Sequence, residues 1–263
     1  MLASGTSCST DRTTVAQITR TVRRGFYQDD TPTPGGRPFP VAEGEHSVFD
    51  QYVVALDAAR EALTAAMAID ETIFVVGEGI GPRGGNFNTT AGLHELYGDV
   101  RLRDTPIVER GFVGLCAGAA MTGTRPVVDF MFLDFILDSF GELVNQIAKM
   151  QYMSSGRLTM PIILRGCIGV GGAAATHHSG NYYPIFTHLP GFRVVLPSNP
   201  HDAKGLFATA LRGEDPVLFL EHKSLLNSKG DVPAADYAIP FGQAAVCRRC
   251  GAPTPARALP RER

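Results

Sequence analysis

Two ionisable residues stand in surroundings that do not explain them. In RDTPIVERGFVGLCAGAAMTGTRPVVDF, residues 103–130, a lone carboxylate, Glu109, separates an apolar run from a train of glycines and alanines. In ATHHSGNYYP, His178 sits in a loop of small residues, with His177 beside it. A carboxylate so placed either complements the dipole of a helix N-terminus or holds and passes a proton. A histidine in an open loop exchanges a proton near neutral pH, the property a general acid or base requires. Cys247 and Cys250 form a single CxxC with no second ligand pair, a weak metal or redox signal. The run GEGIGPRGG, residues 77–85, is glycine-rich but matches neither the dinucleotide fingerprint nor the phosphate loop, so it reads as a turn beside a strand.

The elements around these residues alternate. Short branched-apolar runs at 73–77, 125–130, 161–166, 192–197 and 216–221 read as buried strands. Helical patterns fall near 108–122, 135–153 and 199–212, the last opened by Ser198, Asn199 and Pro200. An earlier helix is expected from Ser47, with Asp50 three residues on as a capping pair, to about Asp70. The fold class is therefore α/β, a mostly parallel sheet with helices on both faces. In such a sheet ligands sit at the carboxyl ends of the strands. Glu109 opens the helix at 108–122, whose Gly111, Gly114, Gly118 and Gly123 each cost about 0.5–1 kcal/mol relative to alanine. Residues that small are tolerated where another backbone packs closely, and a second chain is the expected neighbour.

Composition narrows the classes. The chain has 263 residues, 44% hydrophobic and 19% charged, with net charge -2, so neither nucleic acid nor a membrane surface is an expected partner. No apolar run approaches the roughly 20 residues needed to cross a bilayer. Five scattered cysteines suit a reducing compartment, with Cys116 and Cys167 as buried small residues. Residues 1–26 are Arg-rich with apolar positions at helical spacing, and read equally as a mitochondrial leader or as an amphipathic surface helix. The expected location is cytoplasmic in a bacterium, or the mitochondrial matrix if this segment is a leader. The expected divisions are an arm and Pro/Gly-rich linker at 1–46, one domain at 47–242, and an irregular tail at 243–263.

A resemblance sharpens this. The run GEGIGPRGGNFNTTAGLHELYGDVRLRDTPIVERGFVGLCAGAAMTGTRPVVDFMFLDF, then NQIAKMQYMSSG, HHSG, PSNPHDAKGLFATALR and GEDPVLFLEHK, resembles the beta subunit of thiamine-diphosphate-dependent 2-oxo acid dehydrogenases across about residues 47–242. That group includes the pyruvate, branched-chain 2-oxo acid and acetoin enzymes and forms with fused alpha and beta chains. The resemblance implies the pyrimidine-binding domain of a transketolase-like fold. It implies that Glu109 holds a pyrimidine ring nitrogen, that Phe135 stacks on that ring, and that Met131 and Ile107 are further cofactor contacts. By themselves Phe135 and Met131 read as core. His178, directly before Ser179, matches a histidine at the active-site entrance. The implied reaction is oxidative decarboxylation of a 2-oxo acid with acyl transfer to lipoamide, in a heterotetramer.

The resemblance also implies what must come from elsewhere. Thiamine diphosphate is shared with an alpha subunit, which holds the diphosphate and magnesium through a GDG motif that this chain lacks. A potassium ion on backbone carbonyls near RGCIGVG, residues 165–171, is a further implied ligand. The family pattern continues for roughly another hundred residues that contact the dihydrolipoyl acyltransferase core. Here CRRCGAPTPARALPRER follows instead, so a truncated or frame-shifted end is expected. The competing readings are a non-catalytic remnant of that subunit and a transketolase-type carboligase. The expected consequence is measurable: with magnesium present and no partner, calorimetry should find thiamine diphosphate binding weaker than micromolar, and micromolar binding would contradict it.

Overall fold

The computed structural model describes residues 51–243 together with the two-residue strand β1, Arg20–Thr21. Arg20–Thr21, within the Arg-rich segment, is thus strand rather than helix, and the rest of that segment, the linker, the Ser47–Asp50 capping pair and Cys247–Cys250 lie outside the described residues. Within them, β3 (Ile73–Gly77), β4 (Leu102–Asp104), β5 (Arg125–Phe132), β6 (Ile163–Ile168), β7 (Arg193–Val195) and β8 (Val217–His222) run parallel. They lie in the order β7-β8-β6-β5-β3-β4, with β1 antiparallel on the β7 edge.

Alternation along the strands builds two cores. Val76, Val128, Phe130, Leu164, Leu218 and Leu220 pack on one face with helix α3 (Glu109–Met121). Ile73, Val75, Val127, Ile163, Val217 and Phe219 pack on the other, with helices α1 (Ala55–Ile69) and α6 (Pro200–Arg212). Strands buried on both faces must be apolar at nearly every position, which is why they read as continuous runs. The anticipated strands lie within two residues of the observed ones. Asn199 caps α6 as anticipated, its side chain accepting from Asp202 N at 2.8 Å. No helix among the described residues is long and apolar enough to cross a membrane.

Two expectations change. The first helix does not run through 51–54: residues Gln51–Val54 form strand β2, paired antiparallel with β9 (Lys229–Val232), and α1 starts at Ala55. The QYVV stretch favours a strand once a partner is available, and that partner is nearly 180 residues away in sequence. The helix foreseen at 135–153 is instead a 3-10 turn at Leu133–Ser139, a π turn at Glu142–Ile147 and a short α4 at Met150–Met153. Leu133, Ile136 and Ser139 are buried at a spacing of three, the period of a 3-10 turn rather than an α-helix. Helices α2 (Leu93–Arg101) and α5 (Tyr183–His188) were not anticipated.

The centre of the sheet holds charge. Gly77, Asp129, Arg165 and Phe219 lie abreast on β3, β5, β6 and β8. Arg165 is sealed from solvent, and its Nε and Nη2 donate to Glu221 at 2.6 and 3.1 Å. Its guanidinium lies over the Phe207 ring, and Nη1 reaches the Thr89 carbonyl at 3.4 Å. Thr89 Oγ1 donates to Asp129 Oδ2 at 2.8 Å, and Asp129 Oδ1 accepts from Met131 N at 2.8 Å. Burial opposes the Arg165 charge, and the Glu221 and Asp129 carboxylates more than offset this, so its pKa is raised. Cys116 and Cys167 are buried, and burial pushes the Cys116 thiol up to about 12 and the Cys167 thiol well above its ordinary value, leaving both protonated. Glu221→Gln strands a buried guanidinium and should lower stability by about 3–5 kcal/mol. For a domain of this size that is on the order of 10 °C in Tm, measurable by thermal unfolding.

Candidate functional site

The chain leaves β3 for β4 on one side and returns to β5 on the other, so the strand order reverses between β3 and β5. The carboxyl edge beside such a reversal is the usual ligand position in open α/β sheets. The two strand ends lie close: a Cβ on Gly77 would sit 2.4 Å from the Asp129 carbonyl oxygen, so only glycine fits. Segments leaving the strands at this edge carry the candidate residues. Glu78 follows β3, Glu109 opens α3 beyond β4, Asp134 and Phe135 follow β5, His178 lies on the loop after β6, and Lys223 follows β8.

Glu109 is buried in the first turn of α3. The capping alternative has no hydrogen bond to support it. The first-turn amides of Gly111 and Phe112 donate to the Val108 carbonyl, at 2.8 and 3.2 Å. Among the described residues none donates a hydrogen bond to the Glu109 carboxylate. The buried side-chain atoms left without a partner among the described residues are Thr105 Oγ1, Asp134 Oδ2 and Ser139 Oγ, so the Glu109 carboxylate is not one of them and its oxygens are placed where a ligand can meet them. Glu78 shares its neighbourhood: burial, and then the negative charge of Glu109, raise the Glu78 pKa above the ordinary value. Sequence reading passed over Glu78, although an acid directly after a buried strand of a parallel sheet marks the ligand edge.

His178 is half-buried in an aromatic setting. Its ring lies edge-on to Phe132, with centroids 4.6 Å apart, and to Phe135 at 5.5 Å. Phe87, from the glycine-rich loop after β3, packs edge-on to Phe132 at 5.1 Å. The sequence-derived pair of His178 and Phe135 is thus brought together, and His177 points outward. Met131 belongs to β5, half-buried, with φ of 63° and the Asn86 amide against its sulfur. Such a backbone conformation costs on the order of 1–3 kcal/mol and persists where the surroundings impose it, here through Asp129. Ile107, by contrast, is 82% exposed, so on this chain it walls no crevice and contacts a ligand only if something docks over it.

The glycines of α3 also face outward. A Cβ on Gly118 would meet nothing within 4 Å, and one on Gly114 only the Glu142 side chain at 4.0 Å. Nothing among the described residues requires the small size of Gly114 or Gly118, whereas a Cβ on Gly111 would crowd the Val108 side chain at 3.1 Å. Leu115, on the same side, is 60% exposed.

These features define a class: an α/β domain whose parallel sheet gathers acidic and aromatic side chains at its switch point. The chain belongs to the transketolase pyrimidine-binding domain family, whose model matches residues 53–229. It is 43% identical over 194 residues to the 2-oxoisovalerate dehydrogenase subunit beta of Bacillus subtilis, covering 73% of this chain and 59% of that protein. It is 42% identical over 196 residues to the pyruvate dehydrogenase E1 component subunit beta of Rickettsia conorii, covering 74% and 60%. With the acetoin:2,6-dichlorophenolindophenol oxidoreductase subunit beta of Cupriavidus necator it shares 43% identity over 201 residues, covering 73% and 59%. The chain thus spans about three-fifths of the length of these relatives. A solved split-gene transketolase, described as an inactive beta4 tetramer, superposes with a TM-score of 0.56 at 16% identity, covering 73% of this chain and 57% of that one. That likeness speaks for the fold alone.

The Glu78 environment has a pH signature. A carboxyl group whose folded pKa is raised favours the fold below its ordinary value of 4.5 and works against it as pH rises through the raised value. Glu78→Gln removes that opposition. Thermal unfolding from pH 3 to 8 should find the variant more stable than wild type at neutral pH, with the difference vanishing below about pH 4.

Proposed function

We propose that this chain is the pyrimidine-binding part of a 2-oxo acid dehydrogenase beta subunit, completing a thiamine diphosphate site together with an alpha subunit. One observation carries the reading: a carboxylate, Glu109, in the first turn of α3 and beside Glu78, at the switch point of a pyrimidine-binding domain, with no hydrogen bond to it among the described residues. A protonatable ring nitrogen is the group such a carboxylate lacks. The names of the relatives support the reaction class. The outward glycine face of α3 fits a close-packed partner chain.

When bound, thiamine diphosphate supplies the electron sink that lets a 2-oxo acid lose carbon dioxide. The work of this chain is to position and to move protons. With the cofactor bound, Glu109 would share a proton with a pyrimidine nitrogen, beside Glu78, whose pKa is raised by burial and then by the charge of Glu109. Phe135 would stack on the pyrimidine ring, with Met131 as a neighbouring contact. His178, held against Phe132 and Phe135, gives a proton to the lipoyl sulfur released as a thiol during acyl transfer. The diphosphate and magnesium fall to the alpha partner.

Two variants in a reconstituted alpha–beta complex test the assignment. Glu109→Gln keeps the shape of the side chain and removes the shared proton. Deuterium exchange at the acidic thiazolium carbon should slow about 100- to 10,000-fold, which is about 3–5 kcal/mol of barrier. Exchange within a few-fold of wild type would reduce Glu109 to a dipole contact worth about 0.3–1 kcal/mol. His178→Ala should depress acyl transfer to lipoamide more than decarboxylation, compared by lipoamide turnover and carbon dioxide release. Equal loss of both would assign His178 to binding instead.

A further inference from the structure

The loop that presents His178 has little regular structure of its own. Beyond a three-residue 3-10 turn it follows no regular element, and Ala173 and Ala175 take φ values of 53° and 59°. Its shape is held at a few points. Gly169 N donates to the Gly180 carbonyl at 3.1 Å, and Gly180 N donates to Asp134 Oδ1 at 2.9 Å. Ser224 Oγ donates to the Val170 carbonyl at 2.8 Å. These fasten the two ends of the loop. At His178 itself the fastening is the Lys223 ammonium, which donates to the His178 main-chain carbonyl.

Lys223 is placed unusually for a lysine. It is 8% exposed, and among the described residues it forms no ion pair with a carboxylate. A buried ammonium without an anion is unfavourable unless other groups replace its hydration. Here the His178 carbonyl takes one of its three donors, and the Phe132 ring face lies 5.2 Å from Nζ. The root of the side chain is packed as well: a Cβ on Gly171 would lie 3.0 Å from Lys223 Cβ, so the loop passes directly over the lysine stem. Phe132 is common to both contacts, touching the ammonium and standing edge-on to the His178 ring.

We propose that Lys223 is the positioning residue of His178: by clamping the His178 carbonyl it holds the imidazole edge-on to Phe132 and Phe135. Lys223 touches no reacting atom in this role. Its consequence for acyl transfer rests on the reading of His178 given above, whereas the clamp itself does not.

The test separates the two. The full chain is labelled at histidine Cε1, and the His178 signal among its seven histidines is assigned with His178→Gln. Two neighbouring phenyl rings impose a ring-current shift on that signal. Lys223→Met, which keeps the stem and removes the donors, should move the signal toward the free-histidine position, while Lys223→Arg restores it. Ser224→Ala, at the other end of the loop, should leave it in place. Thermal unfolding is recorded alongside, and should Lys223→Met fail to fold, Lys223→Gln, polar but too short to reach the carbonyl, carries the same measurement. A His178 signal unmoved in a folded Lys223 variant overturns the clamp. In the alpha–beta complex Lys223→Met should lower lipoamide acyl transfer about 10- to 100-fold while carbon dioxide release stays within about threefold. If His178→Ala leaves acyl transfer intact, the role of His178 is what fails, and the histidine signal still decides the clamp.

Discussion

A guanidinium sealed inside a parallel sheet is the constraint on which the carboxyl edge depends. Arg165 answers to Glu221 on one side and, through Thr89, to Asp129 on the other, so one charge ties β8, β6, β5 and the loop after β3 into a single arrangement. The energetics leave little freedom, because each polar group in the chain is satisfied by the next and removing one leaves a buried charge unbalanced. Asp129 then passes the constraint outward by accepting the Met131 amide, which sets the backbone from which Phe132, Asp134 and Phe135 follow. The residues at the carboxyl edge are in this way positioned by groups buried beneath them.

The two sides of the switch point are built differently. Glu109 rides on the first turn of α3, a helix whose inner face is packed through Phe112, Val113, Cys116 and Ala120. Its placement follows from the sheet and the core beneath it. His178 rides on a loop with no core of its own, held by hydrogen bonds from residues after β5 and β8. The carboxylate is thus set by a packed helix, and the histidine by a loop fastened at few points.

The legible part of the sequence was local. Short continuous apolar runs between helical patterns carried the parallel sheet, and Asn199 with Pro200 marked the start of α6 within a residue. Glu109, Phe135 and His178 emerged from motif resemblance, and the sheet gathers their segments at one edge. What escaped was long-range. Strand β2 needed β9, far along the chain, before QYVV preferred a ladder to a helix. Arg165 and Glu221 lie 56 residues apart, and each looked like the polar end of an apolar run. Lys223 and the His178 carbonyl lie 45 residues apart, a pairing that no local pattern encodes. The 3-10 turn at 133–139 follows from burial at a spacing of three, visible only once the sheet beneath it is known.

Strand β5 ends with a register shift between Asp129 and Phe132, centred on the left-handed backbone of Met131. Before the shift, Val128 and Phe130 face the α3 side of the sheet, and simple alternation would send Phe132 there too. Leu133 takes that place instead, and Phe132 turns to meet Phe87 and His178. One residue of chain length therefore decides which aromatic faces His178 and which aliphatic fills the core. During sequence drift an exchange of side chains in this segment perturbs a single contact. Loss of one residue between Asp129 and Phe132 would exchange the inside and the outside of everything up to the next turn, so the segment's length is held more tightly than its composition.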